Sequence, residues 1–225
     1  MLPLNPKVVV ATGASVGGLS LVGRAAGLFS LEICAGGGGQ ALGLETAGFQ
    51  HVGLVELDAH ACETLKANRP SWAVIHRDIR DVEGRHYRGV DLLAGGVPCP
   101  PFSIAGKQLG PRDERDLFPE ALRLIEQARP AAIMLENVRG FAGEKFIKYR
   151  RDLIERLERY GYQAEWRVLE ASRFGVPQLR PRFILVGLKP KSFAWFYWPD
   201  SYVQPATVGQ TLGDMMSSGW ARLAM

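Results

Sequence analysis

The sequence predicts an α/β protein built on a doubly wound, mostly parallel sheet. From Phe29 onward, short apolar runs alternate with helical patterns, which is typical of strands joined by crossover helices. Glycine, acidic and cysteine residues follow several of these runs. Because an open parallel sheet binds ligands at the carboxyl ends of its strands, both observations favour a fold whose chemistry lies along one sheet edge.

The first half of the chain provides four of the predicted strands. LFSLEICAG forms the first strand and ends in the glycines Gly36–Gly39. QALGLETAGF then places Leu42, Thr46 and Phe49 on one helical stripe, before a second strand in HVGLVEL. A helix over Ala59–Asn68 stops before a proline, and WAVI and VDLLAGG supply two further short strands.

The second half continues the alternation with two amphipathic helices and three strands. The first helix ends before a proline and carries Leu117, Ala121, Leu124, Ile125 and Ala128 on one side. AAIMLEN follows as a buried strand. The second helix spans 144–160, and its apolar stripe consists of Phe146, Ile147, Ile154, Leu157 and Tyr160. The strands QAEWRVLEA and FILVGL complete the sheet.

The composition is that of an ordinary globular protein, with 47% hydrophobic and 22% charged residues. Its three cysteines are odd in number and form no CxxC pair, which argues against a disulfide framework and a thiolate metal site. The four histidines lack the short spacing of a metal motif. We therefore expect no metal and a reducing, cytoplasmic setting.

Positive charge is concentrated in residues 139–191, which hold thirteen Lys and Arg against six Asp and Glu, a net charge of +7. Such a segment is compatible with a polyanionic partner, since neutralised phosphates release their counterions. A solvated helix face would explain the same charge. Charge alone leaves both interpretations open.

The N-terminal residues 8–31 are apolar and rich in glycine and alanine. Arg24 and several glycines interrupt the run, which argues against a membrane span or signal peptide. The stretch TGASVGGLS looks like a dinucleotide-binding turn, but Leu19 stands where the fingerprint requires glycine. A nicotinamide site is therefore a remote alternative, and residues 1–28 are expected to form an N-terminal extension.

A single cysteine stands between two prolines in GGVPCPPFS, directly after a predicted strand. Proline fixes φ and removes a backbone donor, so Pro98-Cys99-Pro100 predicts a stiff corner that aims the thiol. Glu136 ends the next strand, and neighbouring strand ends would bring both groups into one pocket. Each residue considered alone has a simpler explanation: Cys99 could be a buried apolar residue, and Glu136 could be a member of a structural ion pair.

Other strand ends carry residues suited to a nucleoside ligand. In CAGGGG, residues without side chains let backbone amides approach a ligand at a helix start. Glu56 is placed to accept the two hydroxyls of a ribose. Asp78 could accept from an adenine amine while Ile79 packs on the ring, although Asp78 would also suit a helix cap.

One late segment, FGVPQLRPRFILVG, alternates polar residues. Gln178, Arg180 and Arg182 would project on the same side of an extended chain. Taken together in order along the sequence, the glycine turn, acidic residue, Asp-Ile, Pro-Cys, Glu-Asn-Val and Gln-x-Arg-x-Arg resemble the cytosine-5 DNA methyltransferases that depend on S-adenosyl-L-methionine. The resemblance runs from about Phe29 to Leu212.

This resemblance implies a Rossmann-like class I methyltransferase fold with a late antiparallel strand. It also implies a catalytic domain over 29–190 and a segment over 191–225 that leads toward a target-recognition domain. Family members continue with that domain and with a last motif that completes the cofactor pocket, and we see neither in this sequence. We therefore expect a truncated enzyme or one part of a split enzyme.

The resemblance also implies roles for the residues of the active site. Cys99, framed by Pro98, would add to C6 of the cytosine as the nucleophile. Glu136, with its pKa raised by burial, would act at N3 of the base. Arg180 and Arg182 would bracket O2, and Asn137 would hold the Pro-Cys loop in place.

The cofactor and DNA contacts follow from the same resemblance. The expected cofactor-binding residues are Cys34, Ala35, Gly36, Gly37, Gly38, Gly39, Glu56, Leu57, Asp78, Ile79 and Pro98. Cys34 stands where the family commonly has an aromatic residue, which puts part of that contact in doubt. The expected DNA-binding residues are Ser103, Lys107, Arg112 and Arg115, in a loop that closes over a flipped base, together with Gln178.

The sequence thus predicts a DNA cytosine-5 methyltransferase that uses S-adenosyl-L-methionine and double-stranded DNA, with a second polypeptide as a candidate source of target recognition. Two alternatives share most of the same motifs. One is an inactive methyltransferase-like protein that binds nucleic acid, and the other is an RNA (tRNA) cytosine-5 methyltransferase. The pocket motifs do not separate DNA from RNA.

Overall fold

The computed structural model describes residues 27–98, 116–200 and 206–223, with side chains up to residue 217. Everything said below about the structure concerns these ranges. Some of the predicted site residues lie outside them: Cys99, Ser103, Lys107, Arg112 and Arg115.

Seven strands form one sheet in the order β3-β2-β1-β4-β5-β7-β6. The strands are β1 (Leu28–Ile33), β2 (Phe49–Glu56), β3 (Val74–His76), β4 (Leu92–Gly96), β5 (Ala132–Val138), β6 (Gln163–Glu170) and β7 (Pro181–Leu188). β7 pairs antiparallel with both β5 and β6, while the pairs among β1 to β5 are parallel. The predicted fold class, including the late antiparallel strand, is confirmed.

Six α-helices connect or follow these strands. They are α1 (Gly39–Thr46), α2 (Ala59–Asn68), α3 (Phe118–Ala128), α4 (Ile147–Arg159), α5 (Pro190–Phe193) and α6 (Val208–Leu223). The bounds of α2 are those predicted from the sequence, because Asp58 caps its start by accepting from the Ala61 backbone N–H at 2.8 Å. A proline two residues beyond its end prevents continuation.

The prediction for the buried face of α1 was wrong. Leu42 is 45% exposed, Thr46 is exposed, and Phe49 belongs to β2. The buried residues of α1 are Ala41 and Leu44. The helix is only eight residues long. The left-handed Gly38 before it sets the direction in which the helix begins, and this direction determines which residues face the sheet.

One face of the sheet packs against α3 and α4 and forms the larger core. The stripe of α3 is buried as predicted, from Ala121 to Ala128. On α4, Leu157 is buried as predicted, but Ile147 is 54% exposed. The pattern also missed two buried residues of α4, Arg150 and Leu153.

The opposite face of the sheet is covered by α1 and by the aromatic residues that follow β7. Leu44, Leu92, Ala94, Ala132 and Leu188 form its core, against which Phe193 and Phe196 pack. Because side chains alternate along a strand and Leu31 and Ile33 belong to the larger core, Ser30 and Glu32 point to this second face. Both are buried.

Among the described residues, no helix is long and apolar enough to cross a membrane. Most of the apolar segment 8–31 lies outside those residues.

Candidate active site

Two hollows open where the strand order reverses, between β1 and β4. The first, of about 580 Å³, is lined by residues that include Glu56, Asp78 and Pro98, and we call it the β2 cleft. The second, of about 490 Å³, is lined by Glu32, Cys34, Ala35, Gly39, Gln40, Gly96, Glu136, Arg180 and Ile184, and we call it the β5 hollow. Cys34 and Gly96 line both. A reversal of strand order at the carboxyl edge is where this fold class binds ligands.

The glycine turn after β1 forms part of the wall between these hollows. Cys34, Gly36 and Gly38 all have left-handed φ angles, of 54°, 53° and 88°. A Cβ on Gly38 would lie 2.6 Å from Cδ2 of Leu65, so both its conformation and its packing require glycine. No heavy atom lies within 4 Å of a Cβ placed on Gly37, which leaves this backbone open to a ligand.

Glu56 is the last residue of β2, and its carboxylate connects this strand to the glycine turn by a hydrogen bond. One carboxylate oxygen accepts from the Gly36 N–H at 2.7 Å, and the other accepts from the N–H groups of Leu57 and Asp58, both at 2.8 Å. These three bonds fix the carboxylate at the wall of the β2 cleft. A carboxylate held in this way keeps lone pairs for further donors.

Asp78 takes the capping role that the sequence left open and lies at the wall of the β2 cleft. Its side chain caps a short 3₁₀ helix, Ile79–Asp81, by accepting from the Arg80 N–H at 2.9 Å, and it pairs with the Arg80 guanidinium at 3.0 Å. Asp78 also lines the β2 cleft together with the buried Ile79 and the exposed Leu57. The cleft thus offers acidic acceptors beside aliphatic surface.

The two described cysteines are poor nucleophiles. Burial, reinforced by the carboxylates of Glu56 and Asp78, raises the pKa of the Cys34 thiol to about 12. Burial also raises the pKa of Cys62, inside α2. Because only a thiolate attacks efficiently, both sulfurs stay protonated and unreactive near neutral pH.

Glu136 lies opposite Gly96 in the register of β4 and β5. A Cβ on Gly96 would lie 3.5 Å from Oε2 of Glu136, so this carboxyl group faces the end of β4. Arg182 donates from Nε to Oε1 of Glu136 at 2.6 Å. Burial raises the pKa of Glu136 and outweighs the opposing effect of Arg182 and Arg180.

Asn137 connects β5 to the segment that leads out of β4. Its side chain is 2% exposed and donates from Nδ2 to the carbonyl of Val97 at 3.2 Å. Its Oδ1 accepts from the N–H of Val138 at 2.7 Å. Val97 precedes Pro98, so this contact holds the chain directly before the Pro-Cys-Pro corner.

Of the three alternating residues around the start of β7, the two arginines line the β5 hollow or contact its lining, whereas Gln178 does not. Arg180 lines the β5 hollow, and its backbone N–H donates to Glu170. Arg182 lies in β7 and reaches Glu136. Gln178 precedes the strand, is exposed, and lines neither hollow.

Sequence reasoning missed Glu32, the acidic residue in the middle of β1. It is 1% exposed, and among the described residues neither of its carboxylate oxygens has a hydrogen-bond partner. Burial raises its pKa to about 8. The signal was a single acid in the apolar run LFSLEI, where a charge is rarely placed without a partner.

A family model for C-5 cytosine-specific DNA methylase matches residues 29–220. The chain belongs to this family. The resemblance predicted from the ordered motifs is therefore confirmed.

Among the relatives, a type II methyltransferase of Neisseria gonorrhoeae, M.NgoMIV, is 58% identical over 84% of this chain and 61% of its own length. M.NaeI of Lentzea aerocolonigenes is 55% identical over 84% of this chain and 47% of its own length. The chain thus spans about half to three fifths of these methylases.

The same fold occurs in solved methylase structures. A DNA modification methyltransferase encoded within an E. coli prophage is 27% identical, with a TM-score of 0.70 over 82% of this chain and 54% of that one. The DNMT2 protein of Spodoptera frugiperda is 25% identical, with a TM-score of 0.60 over 78% of this chain and 53% of that one. These similarities agree with the strand order described above.

Proposed function

We propose that this chain carries the catalytic machinery of a DNA cytosine-5 methyltransferase, which transfers a methyl group from S-adenosyl-L-methionine to C5 of cytosine. The observation that carries the proposal is the position of Glu136, half-buried, paired with Arg182 and facing the end of β4. Pro98 follows that end two residues later and lines the neighbouring β2 cleft. An acid and an arginine therefore face the end of β4, two residues before Pro98, and lie next to a cleft suited to a nucleoside.

The residues of the β2 cleft fit the adenosine part of S-adenosyl-L-methionine. Leu57 and Ile79 provide aliphatic surface for the adenine ring, and Glu56 provides a fixed acceptor for ribose hydroxyls. Asp78 keeps acceptor capacity on the same wall. When bound there, the cofactor would supply an electrophilic methyl group.

Cys99 is the proposed nucleophile, through its place in the chain and by exclusion of the other two cysteines. It is bonded to Pro98, which lines the β2 cleft. Cys34 and Cys62 are the other cysteines of the sequence, and the pKa values of both thiols are raised. The raised pKa values lower the thiolate fraction of both at neutral pH.

The reaction follows from these groups. The Cys99 thiolate forms a bond to C6 of the cytosine while Glu136 donates its proton to N3, so the electron pair of the C5–C6 double bond becomes nucleophilic at C5. Arg180 would donate to O2 and disperse the charge that develops on the ring. After methylation of C5, the C5 proton would pass to water, the C5–C6 double bond would re-form as Cys99 leaves as a thiolate, and N3 would return its proton to Glu136.

A duplex that contains 5-fluorocytosine tests this proposal, because fluorine at C5 cannot leave as the proton does. With S-adenosyl-L-methionine present, we expect the full chain to form an adduct that resists denaturation. Cys99→Ser should abolish the adduct, whereas Cys62→Ser, which changes a buried thiol on α2, should retain it. An adduct that persists in Cys99→Ser, or no adduct even at high protein and DNA concentrations, would contradict the proposal.

The alternatives receive less support. Relatives that are 55–58% identical are named DNA methyltransferases, and the groups for chemistry among the described residues are intact. Transfer of a labelled methyl group to DNA but not to tRNA distinguishes the proposed substrate from RNA. Transfer to neither would favour the inactive nucleic-acid-binding protein.

Several further expectations are proposals that rest on the family resemblance. They comprise contacts to double-stranded DNA from Ser103, Lys107, Arg112, Arg115 and Gln178, target recognition from a second polypeptide, a cytoplasmic location, and a catalytic domain over 29–190. The net charge of +7 on residues 139–191 supports the DNA contact.

A further inference from the structure

The 3₁₀ turn Ile79–Asp81 forms one wall of the β2 cleft, and two backbone hydrogen bonds hold it together. The Asp81 N–H donates to the Asp78 carbonyl at 3.0 Å, and the Val82 N–H donates to the Ile79 carbonyl at 3.2 Å. The hydrogen-bond geometry of a 3₁₀ turn is poorer than that of an α-helix. A wall of this kind depends on support from a neighbouring element.

Helix α3 supplies this support through the side chain of Arg123. This side chain is 28% exposed and donates five hydrogen bonds, one for each N–H of its guanidinium. Two of them go to the 3₁₀ turn and its end: to the Ile79 carbonyl at 3.0 Å and to the Val82 carbonyl at 2.9 Å. The other acceptors are the Arg80 carbonyl at 3.4 Å, Glu120 at 2.6 Å and Gln127 at 3.2 Å.

The contact to both carbonyls requires the shape of a guanidinium. Nη2 donates to the Ile79 carbonyl and Nη1 to the Val82 carbonyl, so the two ends of one planar fork hold two points of the turn. The ion pair between Nε and Glu120 fixes the plane of the fork. A lysine ammonium has its donors at a single point and could not reproduce this arrangement.

The chain that follows the turn also lies against α3. The Gly84 N–H donates to Oε1 of Gln127 at 2.7 Å. A Cβ on Gly84 would lie 2.9 Å from the Leu124 carbonyl oxygen and 2.9 Å from Cβ of Gln127, so this approach to the helix requires glycine. The segment 79–84 is therefore held by α3 at both of its ends.

The orientation of the turn determines the direction of the Asp78 carboxylate. This carboxylate accepts from the Arg80 N–H at 2.9 Å and pairs with the Arg80 guanidinium at 3.0 Å. Arg80 lies between the two residues whose carbonyls Arg123 holds. Arg123 is not among the described residues that line the β2 cleft, so it acts on the cleft through the turn. Leu117, directly before α3, lines the same cleft.

We propose that Arg123 is a positioning residue for the nucleobase of the cofactor. By holding the Ile79 and Val82 carbonyls, it sets the direction in which Asp78 accepts a hydrogen bond from the adenine amine. This rests on the proposed function, which places adenosine in the β2 cleft. Arg123 then contributes to the preference for adenine over a base that has a carbonyl oxygen in place of the amine. This effect on ligand choice is separable from an effect on folding alone.

The test compares S-adenosyl-L-homocysteine with S-inosyl-L-homocysteine, in which oxygen replaces the adenine amine. By calorimetry on the full chain, the wild type should prefer the adenine ligand about tenfold or more, the scale of a hydrogen bond to a charged group. Arg123→Lys keeps the positive charge beside Glu120 but lacks the planar fork, so its preference should fall to within about threefold. Glu120→Gln keeps the carbonyl contacts of Arg123 and should retain the preference.

Two further variants separate positioning from a general loss of stability. Tyr162→Phe removes the buried hydrogen bond to the Pro130 carbonyl, just beyond α3, and should keep the wild-type preference. Gly84→Ala displaces the segment 79–84 from α3 without altering Arg123, and should lower the preference.

A folded Arg123→Lys chain with the wild-type preference would overturn the proposal, and if that chain does not fold, Gly84→Ala decides in the same way. An equal fall in Tyr162→Phe would also overturn it, as would equal affinities of the wild type for the two ligands. If the wild-type chain binds neither nucleoside, the proposed function itself fails.

Discussion

Three glutamates line the two hollows, and each has a different environment. Glu56 accepts three backbone N–H groups, Glu136 pairs with an arginine, and Glu32 has no partner among the described residues. Burial raises the pKa values of the last two. Identical side chains can thus differ in hydrogen bonding and in pKa, because their surroundings differ.

The proton donor can be tested by Glu136→Gln, which keeps the shape of the side chain and removes its acid. We expect labelled methyl transfer to fall about 10²- to 10⁴-fold, the usual contribution of a general acid. Binding of S-adenosyl-L-homocysteine should stay within about twofold, since the β2 cleft is intact. Glu155→Gln serves as the control. Methyl transfer within about threefold of wild type would contradict the role of Glu136.

The buried acid predicts an unusual dependence of stability on pH. The folded chain holds the Glu32 proton up to about pH 8, whereas the unfolded chain releases it near the ordinary value of 4.5. Between these values the folded state binds more protons, so the contribution of Glu32 to stability is lost as pH rises. The loss has an upper limit on the order of 4 kcal/mol at about pH 8.

Glu32→Gln removes this titration. In urea unfolding without ligand, the variant and the wild-type chain should have similar stability at about pH 5. Near pH 8.5 the variant should be more stable. Parallel stability profiles over this range would show that Glu32 has an ordinary pKa or a partner that we have not identified.

At the scale of elements, all seven strands could be predicted because most are short apolar runs bounded by polar or glycine residues. The buried face of α1 could not, since it depends on the left-handed Gly38 that starts the helix. The rule that ligands bind at strand ends led to Glu56 and Glu136. Glu32 was not predicted because the absence of a hydrogen-bond partner depends on the three-dimensional structure and cannot be read from the sequence.

The start of α1 can be tested by Gly38→Ala. Its φ of +88° strains alanine, and the new Cβ would meet Leu65 at 2.6 Å and Trp72 at 3.0 Å. We expect a loss of about 2 kcal/mol or more in urea unfolding. Gly43→Ala lies in the same helix with open space around it and should stabilise by about 0.5–1 kcal/mol. Equal effects would contradict the strained turn.

The link between β4 and β5 can be tested by Asn137→Ala. This change removes the donor to the Val97 carbonyl and should cost about 1–3 kcal/mol of stability. Trapping by 5-fluorocytosine DNA should slow at saturating ligand, while affinity for S-adenosyl-L-homocysteine is kept. Asn68→Ala, exposed at the end of α2, should change neither. Trapping at the wild-type rate would limit Asn137 to a structural role.

At the scale of the whole molecule, the described residues carry the sheet and both hollows, and the matched segment covers 61% and 47% of the lengths of the two relatives. We expect the 225-residue chain to bind DNA weakly and with little sequence preference. Its affinity should fall steeply as salt rises, because phosphate contacts would dominate. Tight, sequence-selective binding by this chain, measured by fluorescence anisotropy across a salt series, would contradict this expectation.

The reversed direction of β7 has a consequence for where function is found along the chain. Parallel strands bring their last residues to the ligand edge, as β2 does with Glu56. β7 runs the other way and brings its first residues there, so Arg182 lies beside Glu136 near the beginning of its strand. If β7 were parallel to β5, Arg180 and Arg182 would lie at the opposite edge of the sheet, far from Glu136. A search for active-site residues in such folds should therefore include the residues at the start of an antiparallel strand as well as those at the ends of the parallel strands.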